Sequence, residues 1–277
     1  MLFYSLFVHI NTDGLKMDND VRTTLAFVEN DESGDRSFSF YRNPGADIML
    51  TADEVDEELI KSSKVFHFGT LSMTHQPVKS ATQKALSVAK ENGCMITFDP
   101  NLREKLWNNE DDAKAAFDYG MKYCDILKIS DNELAWFTEE EDYDKGIAKL
   151  KEKYNIPLIV FLMGCDGSRA YYGDRCYRAD AFAQSNTIDT TGAGDTFMGC
   201  CINHVLENGF DKLDEMLTFA NAAASIVTTR KGALKAMPDK SEIEKLMCLH
   251  VEKKLRAAVI SFKDIRTVFS KMQILVI

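Results

Sequence analysis

The sequence predicts an α/β protein built on a doubly wound, mostly parallel sheet, with a small partial β lid. Three observations predict it. The chain has 277 residues, 45% hydrophobic and 27% charged, enough for one large domain with a substantial core. Short apolar runs rich in β-branched and aromatic residues alternate with amphipathic stretches of about ten to fifteen residues, the pattern of strands joined by crossover helices. The earliest pair of runs breaks that rhythm, because its linker is rich in turn residues and too short for a helix. In chain order, "RTTLAFVE" and "RSFSFYR" flank "NDESGD" and read as a hairpin, part of a lid over about residues 20–45. "KVFHFG", "CMITFDP", "CDILKIS" and "IPLIVFLMG" are the predicted strands of the main sheet. Between them, "PVKSATQKALSVAKENG", "EDDAKAAFDYGMKY" and "DYDKGIAKLKEKY" return an apolar residue every three or four positions and carry Gly, Asn or Tyr near their ends. "DTFMGCCINHVLENG" has the same helical period. Residues 1–248 are expected to form one domain. Residues 249–277 form an atypical basic and apolar tail that reads either as an amphipathic helix or as a random extension.

Lys and Arg total 33 against 43 Asp and Glu, a formal charge of -10. Such a charge repels polyanions and anionic membrane surfaces, so neither nucleic acid nor membrane is an expected partner. The seven cysteines show no CxxC or Cys/His metal spacing and read as reduced thiols, which fits a cytoplasmic protein. "MLFYSLFVHI" lacks a basic leader and a small-residue cleavage site, so it is not expected to act as a signal peptide. No run is long enough to span a bilayer.

In open parallel sheets, ligands bind beyond the carboxyl ends of the strands. The polar residues that close each apolar run are therefore the candidates: Gly69; Asp99, Asn101 and Arg103; Ser130 and Glu133; Gly164 and Gly167; and the loop within "NTIDTTGAGDTFMGCC". Each alone also reads as a cap or a turn. In "TTGAGD", small residues let a ligand approach the backbone, and the amides and dipole of the following helix converge on an anion. Asp195 opposes an anion site unless it accepts a proton from a hydroxyl beside a phosphate. Phosphoryl transfer to an alcohol accounts for both features. The plainer alternative is a tight turn at Gly192 and Gly194 with Asp195 as a helix cap. The loop is not a Walker A motif, since no Gly-Lys-Ser/Thr follows.

"DTTGAGDTF" resembles the second signature of the ribokinase-like (PfkB) carbohydrate kinases, and within them the fructokinases. "RTTLAFV", "FSFYRNPGADIML", "FHFGTLSM", "FDPNLREKLW", "ILKISDNE" and "FANAAASIVTTRKGALKAMP" carry the resemblance from about Thr12 to about Glu244. It implies a ribokinase-like fold and a cytoplasmic, ATP-dependent kinase that converts fructose to fructose 6-phosphate. It further implies a requirement for Mg2+, K+ as a second ion beside Asp189, and a homodimer formed through the lid. By the same resemblance, Asp195 is the base that takes the sugar hydroxyl proton, and Gly192, Ala193 and Gly194 supply backbone donors to the transferring phosphoryl group. Thr191 flanks the reacting centre. Asn221 lines the adenine site with Gly232 and Ala233 nearby, and Gly164 and Gly167 join the nucleotide contacts. Glu133 matches the acidic member of the family's Asn-x-x-Glu element, which organises Mg2+ and phosphate through water; Ser130 stands where that element has Asn. Arg103, Arg42 and Asn101 fall to the sugar or the transferred phosphate, an Arg–carboxylate pair being the plainer role for the arginines. Leu162 departs from the family, whose strand here ends in Val-Thr-Leu-Gly where this chain reads "FLMG".

A second departure lies at the N-terminus. The family's first strand, its sugar-holding Asp and its Gly-Gly…Asn signature precede the segment that here follows Asn11, and none is present. A chain shortened at its N-terminus is therefore expected, with part of the sheet and of the lid missing. Two functions stay open: an active sugar kinase, or a catalytically impaired relative that retains nucleotide binding. For the kinase, 2-keto-3-deoxygluconate or another small sugar is the alternative substrate, because "DPNLREKLW" also resembles that branch.

Overall fold

The computed structural model describes residues 10–30 and 36–252 and divides into two compact units, with the boundary in the chain between Ala179 and Asp180. In the first unit, β1 (Leu25–Asn30) and β2 (Arg36–Tyr41) pair antiparallel, with Leu25 opposite Tyr41, as the predicted hairpin requires. Its turn, residues 31–35, lies outside the described residues.

The main sheet contains β3 (Val65–Phe68), β4 (Met95–Phe98), β5 (Ile126–Ser130) and β6 (Leu158–Leu162), which fall on the four predicted runs and pair in parallel in that order. β7 (Ser168–Tyr172) and β8 (Arg175–Ala179) extend it antiparallel beyond β6, giving a six-stranded, mostly parallel sheet within a mixed α/β architecture. The sequence reading did not include this last hairpin. Its signal is the Gly173–Asp174 turn, across which Tyr172 pairs with Arg175.

The crossovers are α1 (Glu57–Lys61) with α2 (Val78–Glu91), α3 (Glu110–Tyr123), and α4 (Asp131–Thr138) with α5 (Tyr143–Lys153). Parallel strands in sequential order joined by right-handed crossovers place their helices on one face. The core agrees. Phe98, Leu127, Ile129 and Phe161 from the strands pack with Leu86, Phe117, Leu134 and Leu150 from α2, α3, α4 and α5. Each such side chain contributes about 1.5–3 kcal/mol relative to exposure. Gly120 on α3 is required by this packing, because a Cβ there would lie 2.3 Å from the Phe98 ring. The helix starts are chemically marked: the Asn109 side chain accepts from the Asp112 amide, and Asp142 accepts from the Lys145 amide.

In the second unit, α6 (Ala193–Asn208) and α7 (Leu213–Val227) pack together, and Phe182, Ala222, Ala223, Ile226 and Ile243 form a small core. α6 begins at Ala193 rather than at Asp195 as the period had placed it. Gly192 is the N-cap, so Ala193 and Gly194 belong to the first helical turn. A last helix spans residues 240–252, and the tail beyond it lies outside the described residues. Among the described residues no helix is long and apolar enough to cross a membrane.

Candidate active site

In the first unit, each parallel strand delivers a polar segment at its carboxyl end. After β3, Gly69 is pressed against the chain leaving β4, where a Cβ would lie 2.6 Å from the Asp99 carbonyl oxygen. Thr70 donates to the Pro100 carbonyl from its amide at 3.1 Å and its hydroxyl at 2.6 Å. Asp99 forms a buried ion pair with Lys128 of β5 at 2.9 Å. Asn101 then adopts φ 50, a left-handed conformation uncommon for a residue with a side chain. The Leu102 amide donates to Glu133 Oε1 at 2.9 Å. Arg103 donates to the Leu102 carbonyl at 2.8 Å, and its guanidinium lies 4.8 Å from the centre of the Phe38 ring on β2.

At the end of β5, Ser130 caps α4, and Glu133 Oε2 accepts from the Ser130 amide at 2.9 Å and its hydroxyl at 2.8 Å. Beyond β6, the turn carrying Gly164 and Gly167 closes through the Met163 amide and the Gly167 carbonyl at 2.9 Å. The Glu133 carboxylate thus ties Ser130 to Leu102, the residue between Asn101 and Arg103. Arg42 is committed elsewhere. It is buried, pairs with Asp47 at 2.6 Å, and donates to the Thr74 hydroxyl and the Leu71 carbonyl at 3.0 and 2.9 Å. Burial acts to raise the Asp47 carboxyl, but hydrogen bonds from Arg42 and Thr24 outweigh it and hold the group below its usual range. Arg42 thus makes the Arg–carboxylate pair that was its plainer reading.

In the second unit, the buried Asp189 joins two loops: Oδ1 accepts from the Thr191 amide at 2.9 Å and Oδ2 from the Gly232 amide at 3.0 Å. The Ile188 and Asp189 amides both donate to the Thr228 carbonyl. Gly192 sits at φ 84, and a Cβ there would lie 3.3 Å from both the Cα and the Cβ of Ala233. Only glycine meets both the left-handed backbone and this close approach. The Ala193 amide donates to the Thr190 carbonyl at 3.3 Å; first-turn amides have no acceptor within the helix itself, and the helix dipole adds positive potential at the same point. Asp195 stands exposed in that turn. Two hydroxyls beside it, Thr191 Oγ1 and Thr196 Oγ1, are buried and make no hydrogen bond among the described residues. Asn221 is mostly buried and donates to the Asp180 carbonyl at 3.1 Å. Burial pushes the Cys200 thiol up to about 11 and raises that of Cys201 as well, so neither is a ready nucleophile.

Among the described residues, no group of three or more His, Cys, Asp or Glu side chains is arranged to hold a metal ion. The residues therefore fit an anion better than a bare cation: amides, a glycine in close backbone approach and unpaired hydroxyls at the head of α6. Sequence reasoning missed the Thr196 hydroxyl, the Lys128 partner of Asp99 and the Phe38 contact. All three lay inside strings already singled out, "DTTGAGDTF", "ILKISDNE" and "FSFYRNPGADIML", but their contacts depend on the fold.

The sequence matches the pfkB family carbohydrate kinases over residues 8–240. "Probable fructokinase-2" of Arabidopsis thaliana is 38% identical over 248 residues, covering 88% of this chain and 75% of that protein. Among solved structures, the fructokinase of Xylella fastidiosa with bound ATP is similar with a TM-score of 0.80 at 26% identity, covering 89% of this chain and 80% of that one. A double mutant of the Vibrio cholerae O395 fructokinase, in its fructose, ADP and potassium ion bound form, gives a TM-score of 0.81 at 27% identity with the same coverage. The glycine loop, the capped carboxyl rim and these likenesses agree, and the chain belongs to the pfkB family of carbohydrate kinases.

Proposed function

We propose that this kinase transfers the terminal phosphoryl group of ATP to fructose, forming fructose 6-phosphate and ADP. The observation that carries the proposal is the head of α6, where an exposed carboxylate, Asp195, shares the first helical turn with the amides that would receive an anion. In the step, a sugar hydroxyl oxygen bonds to the terminal phosphorus, the bond from that phosphorus to the bridging oxygen breaks, and Asp195 takes the hydroxyl proton. Amides around Gly192, Ala193 and Gly194 stabilise the charge on the moving group without reorganising. Thr191, Asn221 and Gly232 serve the nucleotide, as do Gly164, Gly167 and Ser130, while Asn101 and Arg103 serve the sugar. Arg42, held by Asp47 in the segment that follows the lid hairpin, is assigned to the sugar with them.

Mg2+ is proposed to arrive with the phosphates, which suits an ion that keeps most of its waters and needs few protein carboxylates. K+ is assigned to the Asp189 loop, supported by the potassium form of the Vibrio cholerae enzyme. A second copy of the chain is proposed to pair at the lid, where Leu25, Phe27, Val28 and Tyr41 are exposed.

The experiment is phosphorus NMR of the purified chain with Mg2+, ATP and, in turn, fructose and 2-keto-3-deoxygluconate. Fructose 6-phosphate as the preferred product supports the proposal. Preference for the keto-deoxy acid overturns the substrate. ATP binding without any sugar phosphate overturns the reaction and leaves a nucleotide-binding relative.

A further inference from the structure

We infer that Lys128 is a positioning residue for the sugar: through its buried ion pair with Asp99 it sets where the chain leaving β4 places Asn101 and Arg103. This rests on the sugar roles proposed for those two residues. The β4–β5 ladder pairs Thr97 with Ile126 and Phe98 with Leu127, and β4 ends there. The next position along each strand is Asp99 and Lys128, whose side chains meet at 2.9 Å. The ion pair therefore continues the contact between the two chains where their backbone pairing stops. Lys128 gives it a firm base, because all five residues of β5 pair with β6, with Lys128 opposite Val160.

Stability does not account for the pair. Strands buried on both faces ordinarily read as unbroken apolar runs, and Lys128 interrupts "ILKIS". The Lys128 and Asp99 side chains are only 9% and 6% exposed. Taking two ions out of water costs about what their attraction returns, so an apolar pair of similar volume would serve stability as well. What the ions add is direction. On the β3 side the same segment is already held, since the Asp99 amide donates to the Phe68 carbonyl at 3.1 Å and Thr70 donates twice to the Pro100 carbonyl. The Lys128 ammonium supplies the opposing hold toward β5. Fixed from both sides, Asp99 and Pro100 deliver Asn101 at φ 50, a left-handed conformation that sets the course of the chain to Arg103. Arg103 then donates to the Leu102 carbonyl at 2.8 Å.

The test compares full-length Lys128→Met with the double variant Lys128→Met/Asp99→Asn, by sugar kinetics, ATP titration, urea unfolding and hydrogen exchange at the Leu102 amide. Met keeps the length of Lys without its charge, and Asn keeps the shape of Asp. The single variant leaves a buried carboxylate without its ammonium and is expected to raise the unfolding constant about 100-fold or more. The double variant removes that charge and is expected to recover most of the stability. In both, the fructose KM is expected to rise about tenfold, by more than kcat falls, with ATP affinity unchanged and exchange at Leu102 faster. If the single variant does not fold, the double variant decides. A double variant that regains wild-type fructose KM and Leu102 exchange along with its stability would show a pair that serves stability alone, and the inference falls. ATP affinity lost in step with fructose would also overturn it. If the wild-type chain phosphorylates no sugar, the proposed reaction fails separately, and exchange at Leu102 in the double variant decides whether the pair positions the segment.

Discussion

On the face made by α3 and α5, Asp118 accepts from Lys122, from Lys153 at 2.8 Å and from the Tyr154 hydroxyl at 2.6 Å. Lys114 pairs with Glu110 and Glu139, and Lys149 with Glu140. Lys114, Asp118, Glu139, Lys149 and Lys153 line a cavity of about 450 Å3, yet each of them is paired within the protein. The head of α6 is finished in the opposite way. There a glycine holds a left-handed backbone, two buried hydroxyls have no partner among the described residues, and a carboxylate stands exposed among helix amides. The contrast teaches where to look for function. Hydrogen bonds are completed where the task is stability and left open where a ligand is to complete them.

Substitutions that exchange the two kinds of finish should separate activity from stability. Gly192→Ala forces a side chain into the left-handed region against Ala233. It is expected to lower kcat/KM about 100-fold and stability by about 1–2 kcal/mol, measured by steady-state kinetics and urea unfolding. Unchanged kinetics would break the link between that backbone and the anion. Asp118→Ala should do the reverse, lowering stability by about 1–2 kcal/mol after allowance for partial solvent screening, with kcat/KM unchanged.

Asp118 also sets the sign of an acid effect. Burial acts to raise its carboxyl, but hydrogen bonds from Lys122, Lys153 and Tyr154 outweigh that and hold it well below the usual range. A depressed folded value gives stability that is present above the ordinary carboxylate range, about 4, and is lost as pH falls through the folded value. Wild type and Asp118→Ala should therefore differ near neutrality and converge in strong acid; a gap that widens with acid would contradict the sign. The smallest shift is expected for Thr196→Val. Removing a buried hydroxyl without a protein partner should leave stability unchanged or raise it by about 0.5 kcal/mol, while ATP affinity falls. A clear loss of stability would show that the hydroxyl is satisfied within the protein.

The parallel strands were legible because strands buried on both faces read as continuous apolar runs, as in "ILKIS" and "LIVFL". The β7–β8 hairpin was not, since Arg169, Arg175 and Arg178 interrupt its runs. The glycine loop could be read because its signal is local, although the helix start could not, since it depends on the backbone of Gly192. Pairings made by the fold left no trace in the string. Lys128 meets Asp99 and Glu133 meets Leu102 only once β4 and β5 lie side by side. The burial of Arg42 could not be read either, because it depends on packing against the Leu71–Thr74 turn.

The measurement that bears most directly on the proposed chemistry is single-turnover phosphoryl transfer by Asp195→Asn, with ATP binding and thermal melting taken on the same sample. Asn keeps the shape but cannot take the hydroxyl proton. A base at position 195 requires the transfer rate to fall about 100- to 10,000-fold while nucleotide binding and melting stay at wild-type values. Transfer at the wild-type rate would contradict it, leaving Asp195 an acidic residue in the first turn of α6 with no part in the transfer.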